Sequence, residues 1–186
     1  MKLLAFAASH RPESLNHKLV TLAALEAERL GAEVEILHYS ALDMPLYDDT
    51  KSTNPPAEHK KLSEYAKNVD GILLSLPEYN WSFPANLKNI IDWTSIIKPA
   101  PLAGKTVFLM SATTGGRGGI LGLQQIKPPL EHLGMFIFNK AFPLASAGNA
   151  FTENGELKDK NQAEQLTNFL QDYIAFTKKI SANSRV

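Results

Sequence analysis

Cysteine is absent from this sequence of 186 residues. A chain without thiols forms neither disulfides nor thiolate metal sites. Its five histidines are scattered along the chain, at positions 10, 17, 38, 59 and 132, without the paired spacing of metal ligands. The composition therefore predicts no bound metal, and a fold that is held together by a hydrophobic core without covalent cross-links.

An excess of one charge is also absent, because 19 Lys and Arg balance 19 Asp and Glu. The basic residues are scattered, whereas nucleic-acid binders concentrate them in one patch or along one helix. Apolar runs are too short to cross a bilayer, and the N-terminus lacks the basic flank and long apolar stretch of a secretory signal. We therefore expect a cytoplasmic protein that binds no nucleic acid and inserts in no membrane.

The rest of the sequence alternates short apolar runs with helical patterns. Apolar runs bounded by turn residues predict five strands, at residues 2–8, 33–38, 69–76, 105–111 and 135–138. Apolar residues at three and four residue spacing predict helices at 15–30, 57–68, 84–97 and 120–133, and a last one with a stripe of Leu166, Phe169, Leu170, Tyr173 and Ile174. Strands that alternate with helices form a parallel sheet with right-handed crossovers. The sequence thus predicts a three-layer, doubly wound α/β domain over residues 1–186.

Ligands of such sheets bind beyond the carboxyl ends of the strands, so the loops after the first, third and fourth strands are the expected site. The loop after the third strand is the most informative. Its sequence, Pro77-Glu78-Tyr79-Asn80-Trp81-Ser82, is polar and rigid, and it joins a buried strand directly to a helix. A flat, partly polar ring fits against the end of such a strand.

The loop after the first strand has the chemistry of a phosphate site. Ser9, Arg11, Ser14 and Asn16 lie between a strand and a helix, where free backbone N–H groups and the positive end of the helix attract anions. An arginine can bind two phosphate oxygens at once. The alternative is that Ser14 only caps the helix and Arg11 is only a surface charge.

Two other nucleotide-binding motifs fail on inspection. Gly104-Lys105-Thr106 is similar to the end of a P-loop, but Pro99 occupies the position of the required first glycine and the segment opens a strand. The glycine-rich segment 115–119 follows the fourth strand, whereas dinucleotide-binding folds carry their glycines after the first. We therefore expect neither an NTPase nor an enzyme of the Rossmann dinucleotide-binding type.

Three segments together resemble the NADPH-dependent FMN reductase family, which includes bacterial chromate and quinone reductases. They are residues 8–16, residues 77–93 with Pro77-Glu78-Tyr79-Asn80 as the most specific part, and Ser111 with the glycines of 115–119. The family motif begins with Gly-Ser where this chain has Ala8-Ser9. The resemblance implies a flavodoxin-like fold with strand order 2-1-3-4-5, usually in a homodimer or homotetramer.

The resemblance also implies which residues bind FMN. The serines, arginine and asparagine of the first loop would hold the phosphate, and the loops after the third and fourth strands would hold the isoalloxazine ring. The implied cofactor-binding residues are Ser9, Arg11, Ser14, Leu15, Asn16, Pro77, Glu78, Tyr79, Asn80, Ser111, Ala112, Thr113 and Gly116.

By the same resemblance, NAD(P)H delivers hydride to flavin N5 and leaves, and a small acceptor such as a quinone, free flavin or chromate takes its place. Because the cofactor carries this ping-pong chemistry, we assign no catalytic acid or base. Glu78 is equally well explained as a carboxylate at a helix entrance. Arg117 is the candidate for binding the 2′-phosphate of NADPH, with a subunit contact or a solvated charge as alternatives. NADH is the alternative reductant.

Two further questions stay open in the sequence. Ile90, Ile91, Trp93, Ile96 and Ile97 cover more than one face of their helix, which indicates either a dimer interface or burial within the chain. The rival functions are an FMN-binding electron carrier, which is typically acidic where this chain is neutral, and a regulatory protein that has lost the cofactor. The intact motifs after the first and third strands argue against the second rival.

Overall fold

The structure is a computed structural model that describes residues 1–183, so the last three residues of the predicted domain lie outside the described part. Its sheet consists of β1 (Lys2–Ala7), β2 (Glu33–Ile36), β3 (Gly71–Ser75), β4 (Thr106–Ala112) and β5 (Phe136–Leu144). All neighbouring strands are parallel, in the order β2-β1-β3-β4-β5. The strand order reverses between β1 and β3, which is where this architecture binds its ligands. The expected fold class and strand order are confirmed.

The helices are α1 (Leu15–Arg29), α2 (Lys61–Ala66), α3 (Ala85–Ser95), α4 (Ile120–Gln125), α5 (Lys127–His132) and α6 (Lys160–Asn183). Consecutive residues of a strand point to opposite faces of the sheet. Leu3 and Ala5 therefore pack with α1 and α6, whereas Leu4 and Phe6 pack with the helices of the other layer. Within residues 1–183, no helix is both long and apolar enough to span a membrane.

Three predicted elements differ in length or continuity. The helix predicted over 57–68 is a 3₁₀ turn (Ala57–Lys60) followed by the short α2. The helix predicted over 120–133 is divided into α4 and α5, because two prolines without N–H groups follow Lys127. The fifth strand does not end at Phe138 but continues to Leu144. Val107 pairs with Ile137 and Leu109 pairs with Ala141, so β5 has two more residues than β4 between these pairs, as in a β-bulge.

Helix α3 is buried largely by its own chain. Ile90, Ile91 and Trp93 are all buried, and the Nε1 of Trp93 donates to the carbonyl oxygen of Pro45 at 2.8 Å. Ile90 and Ile91 belong to the hydrophobic core, so burial within the chain explains three of the apolar residues that suggested a dimer interface. Oligomerisation stays a prediction.

Candidate functional site

A cleft of about 180 Å³ lies at the carboxyl ends of β1, β3 and β4. Three loops line it, with Ser9, Arg11, Ser14, Leu15, Asn16, Pro77, Glu78, Tyr79, Ala112, Thr113 and Thr114. These loops are distant in sequence and meet because the parallel sheet brings the carboxyl ends of its strands to one edge. Thr114 is the lining residue that sequence reasoning missed, and it directly follows the predicted Ala112 and Thr113.

The first loop leaves hydrogen-bond donors free at the start of α1. Ser14 is the N-cap, and its Oγ accepts from the backbone N–H of Asn16 at 3.2 Å. The Oγ of Ser9 accepts from the backbone N–H of Arg11 at 3.3 Å. A hydroxyl that accepts one bond still has its own proton to donate. Both serines are thus fixed in place and can still donate to a ligand.

Two further groups of this loop are available to an anion. The Arg11 side chain is exposed and has no acidic partner among the described residues. Among the same residues, the backbone N–H of Leu15 in the first turn of α1 has no acceptor, as expected for a helix start. With the helix dipole, these groups give the loop the donors and the positive potential that favour an anion.

Asn16 lines the cleft, and its side chain forms hydrogen bonds within the protein. Its Oδ1 accepts from the Ser75 hydroxyl at 2.8 Å and from the backbone N–H of Ala112 at 2.9 Å, and its Nδ2 donates to the Ala112 carbonyl at 3.0 Å. Asn16 is buried. Its side chain therefore ties α1 to the ends of β3 and β4.

The loop after β3 is a tight two-residue turn. The backbones of Tyr79 and Ser82 exchange hydrogen bonds of 2.8 and 3.0 Å. Between them, Asn80 and Trp81 have φ of +50° and +67°, in the left-handed region. Asn80 lies at the exposed tip and does not line the cleft, unlike Pro77, Glu78 and Tyr79.

Glu78 connects this loop to the one after β4. Its Oε2 accepts from the backbone N–H groups of Leu121 at 2.9 Å and Gly122 at 3.0 Å, in the first turn of α4. The Ser82 hydroxyl adds a bond of 2.9 Å to the Oε1 of Gln125. The carboxylate therefore serves a helix entrance as expected, but that of α4 and not that of the adjacent α3.

The loop after β4 differs from expectation at Ser111 and Gly116. The Ser111 side chain is fully buried, and its Oγ has no hydrogen-bond partner among the described residues. It lies directly against Gly119, where an added Cβ would meet that oxygen. Because neighbouring strand residues point to opposite faces, Ala112 lines the cleft while Ser111 does not. Gly116 is exposed and also lies outside the lining.

Arg117 lies at the rim of the same region. Its guanidinium carbon is 5.7 Å from the centroid of the Trp81 ring, within the range of a cation–π interaction. Arg117 is exposed, and no acidic side chain of the described residues pairs with it. The contact joins the loops after β3 and β4, and Trp81 was not among the predicted site residues.

The cleft suits a phosphate ester that carries a flat ring. The start of α1 offers donors to an anion, and the walls are short segments at the ends of β3 and β4 that include Pro77 and Tyr79. Flavin mononucleotide has both parts, a terminal phosphate and a planar ring system. Fold and cleft therefore define the molecule as a flavodoxin-like protein whose donor set fits FMN.

Comparison with known proteins gives the family. The sequence pattern of the NADPH-dependent FMN reductases matches residues 1–149. A quinone reductase of Escherichia coli K12 is 32% identical over 145 residues, which cover 76% of this chain and 77% of the relative. An NAD(P)H-dependent FMN reductase of Pseudomonas aeruginosa is 31% identical over 176 residues, 92% of each chain. The chain belongs to the NADPH-dependent FMN reductase family and is an oxidoreductase, as its three motifs predicted.

A solved structure agrees with this assignment. The flavoenzyme FerB of Paracoccus denitrificans, an NAD(P)H:(acceptor) oxidoreductase, superposes with a TM-score of 0.82 at 26% identity. The superposition covers 96% of this chain and 97% of FerB. The likeness therefore extends over nearly the whole length of both chains.

Proposed function

We propose that the cleft holds FMN and that the enzyme uses it to reduce a small acceptor with NAD(P)H. One observation carries the proposal: the free donors at the start of α1 and the ends of β3 and β4 line a single cleft. A flavin needs both parts, because its phosphate and its ring lie at opposite ends of the molecule.

The proposed phosphate ligands are Arg11, the hydroxyls of Ser9 and Ser14, and the backbone N–H of Leu15. A guanidinium and a helix start both favour a doubly charged phosphate. Asn16 supports this cradle from behind through its bonds to Ser75 and Ala112. Its part in the proposal is to position the loop.

The proposed ring site lies between Pro77 to Tyr79 on one side and Ala112 to Thr114 on the other. Glu78 restrains the first side, because its carboxylate accepts from the first turn of α4, the helix that follows the loop of the second side. A fixed gap lowers the conformational entropy that is lost when a rigid ring binds.

Bound FMN supplies the redox chemistry, since it accepts hydride from NAD(P)H and passes electrons to the acceptor in a ping-pong sequence. The residues of the chain bind and orient, and none of them is proposed as an acid or base. The names of two relatives, quinone reductase and FMN reductase, support quinones and free flavin as acceptors. Arg117 is the proposed contact for the 2′-phosphate that distinguishes NADPH from NADH.

The deciding experiment is the visible spectrum of the purified protein, supplemented with FMN, before and after anaerobic addition of NADPH. We expect a bound flavin spectrum that bleaches rapidly. Bound flavin that stays oxidised would favour an electron carrier, and absence of bound flavin would contradict the proposal. Assembly into homodimers or homotetramers, and a cytoplasmic location, stay predictions.

A further inference from the structure

Trp81 occupies a position that the stability of the fold does not explain. A two-residue turn with both φ values positive is best served by Asn-Gly, yet the second residue here is a tryptophan at φ +67°. A bulky residue strains the backbone in this left-handed region, which glycine occupies without strain. The indole gains little burial in return, because the residue is 65% exposed, whereas Trp93 is buried and hydrogen-bonded.

Apart from the indole of Trp81, little restricts the position of the Arg117 side chain. Glycines flank it on both sides, and Gly118 has φ of +61°, so the backbone alone restricts the side chain weakly. Stacking on Trp81, at 5.7 Å from the ring centroid, restricts the guanidinium while leaving its N–H donors free for an anion. Together the two side chains present an aromatic face beside an unpaired cation.

We propose that Trp81 and Arg117 form a subsite at the rim of the cleft that binds a planar aromatic ring carrying an anionic group. The indole stacks on the ring, and the guanidinium binds the anion. Such a ligand has two sources in the proposed function, on which this inference rests: the adenosine 2′-phosphate end of NADPH, or an aromatic acceptor with an acidic hydroxyl. Trp81 is therefore a specificity-determining residue, with Arg117 as its partner.

The test is calorimetric titration of the FMN-loaded protein with two matched pairs of probes. Adenosine 2′,5′-bisphosphate is compared with adenosine 5′-monophosphate, and 2-hydroxy-1,4-naphthoquinone with 1,4-naphthoquinone. We expect the native protein to bind the more anionic member of at least one pair about tenfold more tightly, because the added anionic group gains a charge-assisted hydrogen bond to the guanidinium. The pair that shows this preference identifies the source of the ligand.

The variants are Trp81→Gly, which removes the indole at a position whose φ suits glycine, and Arg117→Ala. Arg117→Ala should reduce the preference to less than about twofold, because the charge-assisted contact is lost. Trp81→Gly should weaken binding of both members of the pair, because the stacking surface is lost, and should lower the preference, because the guanidinium is no longer restricted. Arg117→Lys should restore only part of it, since an ammonium lacks the planar fork. Arg29→Ala, on the exposed end of α1, is the matched control and should leave the preference unchanged.

The subsite would be overturned if Trp81→Gly and Arg117→Ala both kept the native preference for the more anionic probe. It would also be overturned if the native protein preferred neither member of either pair. The subsite would also be overturned if Trp81→Gly acts only by changing the sedimentation coefficient, since the indole then contacts a second copy of the chain. The proposed function fails separately, by loss of FMN binding or of bleaching by NADH in the native protein. Both variants should retain FMN affinity, because neither Trp81 nor Arg117 lines the cleft.

Discussion

The two ends of the sheet use their polar groups in opposite ways. At the amino end, the hydroxyl of Thr106 lies 2.8 Å from that of Thr177 and 3.1 Å from that of Tyr173, which also donates to the carbonyl oxygen of Ile72. Burial raises the pKa of Tyr173 to about 12, so this hydroxyl stays protonated at neutral pH. Lys105 donates to a backbone carbonyl at 2.8 Å, and its partial burial lowers its pKa.

At the carboxyl end Asn16 and Glu78 are hydrogen-bonded within the protein, but three other polar groups lack such partners. Arg11 and Arg117 have no acidic neighbour among the described residues, and the Ser111 hydroxyl is buried there without a hydrogen bond. Two residues of the loop after β3 have strained backbones. We conclude from this difference that the polar groups at the amino end stabilise the fold, whereas those at the carboxyl end include donors that are available to a ligand.

The largest expected effect that tests this difference is on FMN affinity, from a substitution of Arg11. Arg11→Ala should raise the Kd for FMN about 10- to 100-fold, because charge-assisted hydrogen bonds contribute about 1.5–3 kcal/mol. The melting temperature without FMN should not change, since the side chain is exposed. Fluorescence titration with FMN measures the first quantity, with Arg29→Ala as control. An unchanged Kd would remove Arg11 from the phosphate site.

The next largest effect is expected for a substitution in the loop after β4, at the carboxyl end of the sheet. Gly119→Ala should lower the free energy of unfolding by about 1–3 kcal/mol, because φ is +78° and the new Cβ would meet Ser111. Gly116→Ala is the matched control in the same loop, since its Cβ would have no heavy atom within 4 Å. Urea denaturation compares the two. Equal stabilities would show that the buried Ser111 does not constrain this loop.

A smaller effect is expected for Glu78, which joins the loop after β3 to the first turn of α4. Glu78→Ala leaves the N–H groups of Leu121 and Gly122 without their acceptor, which should lower stability by about 0.5–2 kcal/mol, as for a lost helix cap. FMN affinity should fall as well, because the walls of the cleft are no longer tied. Thermal unfolding with and without FMN measures both. Glu78→Gln retains an acceptor oxygen and should lose less; native behaviour of the alanine variant would refute the positioning role.

The smallest effect tests the amino end. Tyr173→Phe should destabilise the protein by about 0.5–1.5 kcal/mol, because it removes the hydroxyl that bonds to Thr106 and Ile72. FMN affinity should stay native. Tyr65→Phe, on α2, is the control, since that hydroxyl has no partner among residues 1–183. A weakened FMN affinity in Tyr173→Phe would break the separation of the two ends.

The sequence was sufficient for the strands, the doubly wound class and the three loops that meet at the cleft. These follow from local signals, namely apolar runs, three and four residue spacing and turn residues. The same signals failed where a long-range contact intervenes. β5 continues to Leu144 because pairing with β4 resumes after an irregularity, which the spacing of its apolar residues does not reveal.

Within the site, the sequence determined which residue types stand in which loop, and with them the chemistry available: hydroxyls and a guanidinium at a helix start, and a rigid turn after a buried strand. The tertiary structure decided where each side chain points. Glu78 reaches α4, Asn16 faces inward and Ser111 lies beneath Gly119. The physical reason is that each outcome depends on contacts between loops distant in sequence, and neighbouring strand residues face opposite sides of the sheet.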